Sequence, residues 1–309
     1  MVDPCFENLE QLAHDLCSLF PDFKNLAPLK RLADGASSIV VEGADGFVFR
    51  IGKNSESVDS YRHEAELLPI LRSHINVPIP DPRWCAGPTE AFPFGVFGYK
   101  KLPGESLQKK RIEALDWKNI AADVGAFMQQ LHTVPLDCIR SVKLPDFHGK
   151  PSTLADIQAR VLPYLKLVLT ARECEVAIQW MEQMQIDGRM QQYSPTLVHG
   201  DLFYANLLVD EVKSKVTGVV DFENASIGDP AQDFATQYSL GQPYYDAVVG
   251  AYIKAGGHID ESLEYRMHQL RILRSIYGLL FFAETGDLIE FADSVYKLRH
   301  SDLLHEVAK

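Results

Sequence analysis

LVHGDLFYANLLVD, Leu197–Asp210, sets His199, Asp201 and Asn206 in a run that is otherwise almost wholly apolar. Its flanks read as strands. TLVHG (196–200) leads in, and NLLVD (206–210) follows with Leu207, Leu208 and Val209, a short apolar run bounded by polar residues. KVTGVVDF (215–222) is a third β-prone run, which pairs back onto NLLVD through the turn Glu211–Lys215. One Asp or Asn in such a place is usually a turn cap. Here Asn206 follows Asp201 by five positions and Asp221 follows Asn206 by fifteen, more than a cap requires.

These residue types fit metal-assisted phosphoryl transfer. That chemistry needs a carboxylate to orient the attacking hydroxyl and accept its proton, and oxygen ligands for magnesium ions that neutralise the phosphates. The order H-x-D-x-x-x-x-N, a hairpin, then D-F is the catalytic and metal-binding spacing of protein-kinase-like folds. It stands here as HGDLFYAN and VDFE.

The whole chain allows such an enzyme. Its 309 residues, 46% of them hydrophobic, suit two domains or lobes. The net charge of −12, from 42 acids against 30 bases, argues against a nucleic-acid partner. An acidic cleft would suit a cationic ligand, although acidity also serves solubility alone. The opening MVDPCFENLEQLAHDLCSLF has no basic n-region, and Leu9, Leu12, Leu16 and Phe20 follow a helical pattern unlike that of a signal peptide. IYGLLFFA (276–283) is the longest apolar run, far short of the roughly 20 residues a membrane span needs. Cys5, Cys17, Cys85, Cys138 and Cys174 are odd in number and scattered, neither a disulfide framework nor a zinc spacing. A cytoplasmic protein without membrane or nucleic-acid partner is expected, its oligomeric state open.

Outward from the motif, the chain changes character near residues 99–104. Before it, SSIVVEGADGFVFRIG reads as two strands, Ser38–Glu42 and Gly46–Ile51, joined at GAD. DSYRHEAELLPILRSH then takes helical spacing, with Leu67, Leu68 and Leu71 on one face and Glu64 near its start. AFPFGVFGYKKL is β-prone and stops at Pro103-Gly104. After it, WKNIAADVGAFMQQLHTV, STLADIQARVLPYLKLVL, ECEVAIQWMEQMQ and the text from Gln242 onward are amphipathic helices. The expected fold class is therefore α+β, two-lobed, with a small β-rich N-terminal lobe (1–98), a hinge (99–104) and a larger helical lobe (105–309).

The small lobe holds candidate nucleotide-binding parts. A strand cation that grips phosphates and pairs with a helix Glu has its match in Arg50 of GFVFRIGK and in Glu64, with Lys53 as the lesser candidate. Arg in place of Lys keeps the charge but changes reach and donor geometry. LADGASSIVVE has one glycine, Gly35, where a phosphate loop has three, although Ser37 and Ser38 could still offer hydroxyls and backbone N–H groups.

Taken together, VHGDLFYANLLVD, GVVDFENASIGDPAQDFA and GYKKLPGESL, with VGAFMQQLHTVPL ahead of them, resemble the aminoglycoside phosphotransferase family, antibiotic kinases with the protein-kinase-like fold. HGD in place of HRD, and Glu223 where protein kinases have a Gly after D-F, are the family's form. The resemblance implies that Asp201 is the catalytic base, that Asn206 and Asp221 bind Mg2+, and that His199 supports the loop. Asp229 and Asp233 would brace the segment after the metal site. Tyr99–Leu102 would be the hinge, with the backbone of Lys100 and Leu102 on the base of ATP or GTP. A bulky Tyr99 at the back of that pocket would favour GTP at least as much as ATP.

The resemblance also implies a hydroxylated small-molecule acceptor, first a cationic aminoglycoside, against carboxylates such as Asp246, Glu261, Glu264, Glu284 and Asp287. FATQYSLGQPYYDAVV, just after the metal segment, is instead rich in aromatics. A wall of Tyr238, Tyr244 and Tyr245 would suit a macrolide. Kinases of this fold also act on endogenous metabolites, and a binding module without turnover is a further alternative, against which the intact Asp201, Asn206 and Asp221 set argues.

Overall fold

A computed structural model describes residues 8–35, 37–147 and 149–305; Cys5 and the start of the opening segment lie outside them. In chain order the elements are α1 (Leu9–Leu19), β1 (Lys30–Asp34), β2 (Ser38–Glu42), β3 (Phe47–Gly52), α2 (Ser55–Leu71), β4 (Trp84–Ala86), β5 (Val96–Lys100), β6 (Glu105–Ser106), α3 (Trp117–His132), α4 (Pro151–Val168), α5 (Ala171–Ile186), β7 (Thr196–Val198), β8 (Leu207–Asp210), β9 (Lys215–Val219), β10 (Ser226–Gly228), α6 (Ala231–Gln237), α7 (Gln242–Lys254), α8 (Leu263–Thr285) and α9 (Leu288–Arg299). They divide into two compact units. One holds the residues up to Asp116, Pro135–Lys143 and Ala205–Asn224, and the other holds Trp117–Val134, Leu144–Tyr204 and the residues from Ala225 onward. The hairpin after the HGD motif thus packs with the β-rich start of the chain, although it lies within the stretch whose text is mostly helical.

In the first unit, β1–β5 form an antiparallel sheet in the order β1-β2-β3-β5-β4. Successive side chains of β3 point to opposite faces. Phe49 and Ile51 enter an apolar cluster with Leu12 and Leu16 of α1. Arg50 and Val48 lie on the other face, opposite Phe97 and Tyr99 of β5. Both faces are covered, which explains why five of the six β3 residues are buried. Asn54 starts α2 by accepting a hydrogen bond from the Ser57 N–H, a common helix N-cap. That start lies earlier than the Leu spacing suggested, so Glu64 stands mid-helix, fully buried, and not near the beginning. β8 and β9 pair as expected, with β6 added on the β8 edge.

In the second unit, α3 and α7 pack at a point where bulk is excluded. A Cβ on Gly125 would lie 2.6 Å from both the Ala251 side chain and the Val248 carbonyl oxygen. β7 pairs with β10, a strand too short to show in the sequence. Thr170 and Glu173 form a reciprocal capping box at the start of α5. The 23-residue α8 supplies much of the buried face of this unit. Among the described residues no helix is long and apolar enough to cross a membrane. Cys17, Cys85, Cys138 and Cys174 are free thiols.

Candidate active site

The first unit carries a buried charge cluster built on Arg50. One guanidinium nitrogen, Nη1, donates to Glu64 Oε1 at 2.7 Å, and Nη2 donates to Glu223 Oε2 at 3.0 Å. Nη2 is also 3.2 Å from Asp221 Oδ1. The guanidinium lies 5.2 and 5.6 Å from the ring centres of Tyr61 and Phe97, close enough for cation–π attraction. Burial alone would lower the Arg50 pKa, but Glu64, Asp221 and Glu223 together raise it well above its ordinary value. Arg50 is therefore the strand cation that pairs with Glu64. Lys53 instead meets Asp34 and, at 2.6 Å, the Gly35 carbonyl oxygen.

α2 also fixes the D-F segment. Glu64 Oε2 accepts from the Phe222 N–H at 3.2 Å, and His63 Nε2 lies 3.2 Å from the Phe222 carbonyl oxygen. With Phe222 held at both backbone groups, Asp221 adopts φ of 70°, a left-handed conformation uncommon outside glycine and enriched at functional sites. Its Oδ1 is buried and makes no hydrogen bond, the Arg50 contact aside. Three carboxylates face one guanidinium. Glu223 is pushed up to about 8, first by burial and next by the charge of Asp221, with Arg50 pulling the other way.

That excess of negative charge, and the Asp221 Oδ1 that accepts no hydrogen bond, suit a divalent cation. Asp221 and Asn206, both in the first unit, would hold it. Among the described residues no three His, Cys, Asp or Glu side chains form a metal site by themselves. A magnesium ion in phosphoryl transfer takes much of its coordination from phosphate and water oxygens.

The remaining nucleotide candidates are placed unequally. The Ser37 hydroxyl donates to Glu223 Oε2 at 3.2 Å, so it belongs to the charge cluster. Ser38 is buried at the start of β2 opposite Gly52 and is less available to a ligand. Tyr99 is buried on the Arg50 face of β5, opposite Val48, and burial pushes its hydroxyl up to about 12. Lys100 and Leu102 line a cavity of about 680 Å³ with Phe47, Pro78 and Trp84. Phe47 is on the β3 face away from Arg50, so this cavity is distinct from the charge cluster.

The loop that carries HGD belongs to the second unit, where α6 holds it by its backbone. Asp233 accepts from the His199 N–H at 2.9 Å and the Gly200 N–H at 3.0 Å, and it lies 3.0 Å from His132 Nε2. Gln232 donates to the Gly200 carbonyl oxygen at 2.8 Å, and Thr236 to that of Leu202 at 2.7 Å. Gly200 has φ of 81°, a turn that a side chain would strain. His199, fully buried, accepts from the Asp201 N–H through Nδ1 at 3.3 Å. Burial would raise Asp233, but His132 and His199 outweigh it and hold the carboxylate below its usual range. Asp229 is bridged by Arg266, Nε to Oδ2 at 2.7 Å, and caps Ala231. Asp233 thus braces the loop, whereas Asp229 holds the segment at the start of α6.

Asp201 itself meets Arg274 of α8, Nη2 to Oδ1 at 2.5 Å, and Phe203 lies 5.5 Å from the same guanidinium. Arg274, His132, His63 and Glu223 were not among the sequence candidates. The Glu223 position alone left a trace, as the departure from D-F-G.

Of the acceptor candidates, Tyr238, Asp246 and Glu264 come together around Tyr245. The Tyr238 and Tyr245 rings are 5.8 Å apart, and burial, then Glu264 and Asp246, push the Tyr245 hydroxyl up to about 12. Tyr244 does not join them, because it is buried facing Trp117 as part of the core. Glu284 is engaged with Arg160 and Asp287 caps α9, so neither is an open acceptor group. Glu261 is exposed.

The phosphotransferase enzyme family matches residues 28–270, and the chain belongs to that family. It is 33% identical over 101 residues to viomycin phosphotransferase of Streptomyces vinaceus, a match covering 32% of this chain and 34% of that one. The chain thus aligns with about a third of that relative's length. Its fold is shared with the GDP complex of wild-type aminoglycoside 2'-phosphotransferase-IIIa (TM-score 0.83, 19% identity, 95% of this chain and 98% of that one). Macrolide 2'-phosphotransferase type I is also similar (TM-score 0.71, 20% identity, 96% and 99%). The fold is α+β and protein-kinase-like, with an antiparallel sheet toward the N-terminus and helices toward the C-terminus.

Proposed function

We propose that this enzyme is a magnesium-dependent kinase of a hydroxylated small molecule, with ATP or GTP as donor. The observation that carries this is the buried Arg50, held by Glu64 on one side and by Asp221 and Glu223 on the other. In the proposed reaction Asp201 accepts the proton of the acceptor hydroxyl. The hydroxyl oxygen bonds to the γ-phosphorus as the bond to the β–γ bridging oxygen breaks, leaving the nucleoside diphosphate. Bound magnesium, on Asn206 and Asp221, would supply charge neutralisation for the phosphates. Arg50 grips the α- and β-phosphates, and the backbone of Lys100 and Leu102, in a hinge at 99–104 after an N-terminal lobe of 1–98, holds the base. Such a donor is used in the cytoplasm.

Aminoglycosides and then macrolides are the acceptors that the family resemblance puts first. Glu264 and Asp246 beside Tyr245 support an ammonium group on the acceptor, and Tyr238 supports an apolar one. A coupled assay of diphosphate release tests the assignment with both nucleotides, with and without magnesium, against aminoglycosides, macrolides and hydroxylated metabolites. Asp201→Asn is expected to lower turnover at least about a hundredfold. Turnover within a few-fold of the parent overturns the mechanism.

A further inference from the structure

Arg271 on α8 is a partly buried cation that no carboxylate accompanies among the described residues. Its guanidinium carbon stands 3.8 Å from the ring centre of Tyr238, and Nη1 is 3.2 Å from His268 Nδ1. Among the described residues it forms no ion pair, whereas Arg266 and Arg274 of the same helix each bind aspartate. This occurs in a chain with 42 acids against 30 bases. A stacked, partly desolvated guanidinium without a counter-ion is poorly compensated. Its ring-fixed plane leaves a fork of N–H donors suited to a planar or tetrahedral anion.

The position of Arg271 gives that anion a role. Residues three apart on a helix are neighbours, with about 5–6 Å between Cβ atoms, and Arg274, three residues on, touches Asp201. An anion on Arg271 therefore lies about one helical turn from the base. Glu264 lies two turns the other way, about 10 Å along the axis. The edge of α8 thus carries Arg274, Arg271, His268 and Glu264 in sequence, basic next to Asp201 and acidic beyond.

We propose that the acceptor carries an anionic group, a carboxylate or a phosphate ester, which Arg271 binds close to the hydroxyl that Asp201 deprotonates. This rests on the phosphotransferase reading but departs from its order of acceptors, setting an anionic hydroxyl compound ahead of the polycationic aminoglycosides. A polycation would meet Arg271 and Arg274 as like charges nearest the base. Whatever the acceptor carries at the Glu264 end, its reacting end is anionic.

The test compares matched acceptors by kcat/KM: gluconate against gluconamide, glucose 1-phosphate against methyl glucoside, and kanamycin as the polycation. The anionic member of at least one pair is expected to be preferred by about tenfold or more. The two pairs distinguish carboxylate from phosphate ester. Arg271→Gln is expected to shrink that preference to within about threefold, through the acceptor's KM rather than the nucleotide's, and Arg271→Lys to restore part of it. Thermal melts of both variants confirm folding; the Lys variant alone decides if the Gln variant does not fold. Equal or better use of kanamycin or the neutral members, no use of either anion, an unchanged preference in Arg271→Gln, or a rise confined to the nucleotide's KM overturns the proposal. Failure of the underlying reading looks different: no phosphorylated product from any acceptor, amines and neutral alcohols included.

Discussion

Arg274 Nη2 lies 2.5 Å from Asp201 Oδ1, joining the middle of α8 to the catalytic loop across 73 residues of sequence. The contact holds one oxygen of the carboxylate that is proposed above as the base. Positioning of this kind contributes to rate through geometry, where a 1 Å error costs on the order of a hundredfold. Arg274→Met is expected to lower kcat by about ten- to a hundredfold with little change in nucleotide affinity. Combined with Asp201→Asn, the loss should be far from additive, because both changes act on one group. Additive losses would place Arg274 outside the catalytic arrangement.

Arg50 spans its partners with two different nitrogens, Nη1 on Glu64 and Nη2 toward Asp221 and Glu223. A lysine, although the usual residue at such a site, has one nitrogen and cannot bridge both sides. Arg50→Lys should therefore raise the nucleotide KM by about tenfold or more. Steady-state kinetics at saturating acceptor check this, and an unchanged KM would show that the bridge is dispensable.

Tyr99 is buried on the Arg50 face of β5, and in the proposed nucleotide site its bulk would narrow the space behind the base. GTP is expected to be used at least as well as ATP, and Tyr99→Ala to shift the ratio toward ATP. An ATP preference of tenfold, about 1.4 kcal/mol, in the parent enzyme contradicts this. The specificity constants of the two nucleotides supply the answer.

Acid stability should depend on Asp187. Arg189 and Tyr265 donate to its carboxylate at 2.7 Å each and hold it well below the usual carboxylate range. A group whose folded pKa is depressed stabilises the protein above its unfolded value, about 3.9 for Asp, and loses that contribution as pH falls toward the folded value. Urea melts between about pH 7 and pH 2 should show Asp187→Asn less stable than the parent at neutral pH and the difference closing in acid. A constant difference across that range would contradict the assignment.

The HGD motif and its hairpin were legible because they are local. The hairpin of β8 and β9 closes through a short turn, so turn chemistry and alternation of neighbouring residues determine it and place Asn206 and Asp221 at its ends. The pairing of Arg50 with Glu64 was also within reach, since a strand followed directly by a helix brings them together over 14 residues. The helix start was misplaced because Asn54, an N-cap by its side chain, precedes a first turn of polar residues without apolar periodicity.

What only the tertiary structure decided are partners set by the crossing of distant segments. His63 reaches Phe222 across 159 residues, Arg50 reaches Glu223 across 173, and Asp233 holds the backbone of His199 across 34. Tyr244 could have faced a ligand until the packing of its helix turned it to Trp117. The sequence by itself determined which residues are chemically fit for phosphoryl transfer and their order along the chain, because local periodicity and turn geometry depend on near neighbours. Which charges meet which, and that Arg271 meets none among the described residues, depends on side chains brought together by the fold, and no spacing in one dimension encodes that.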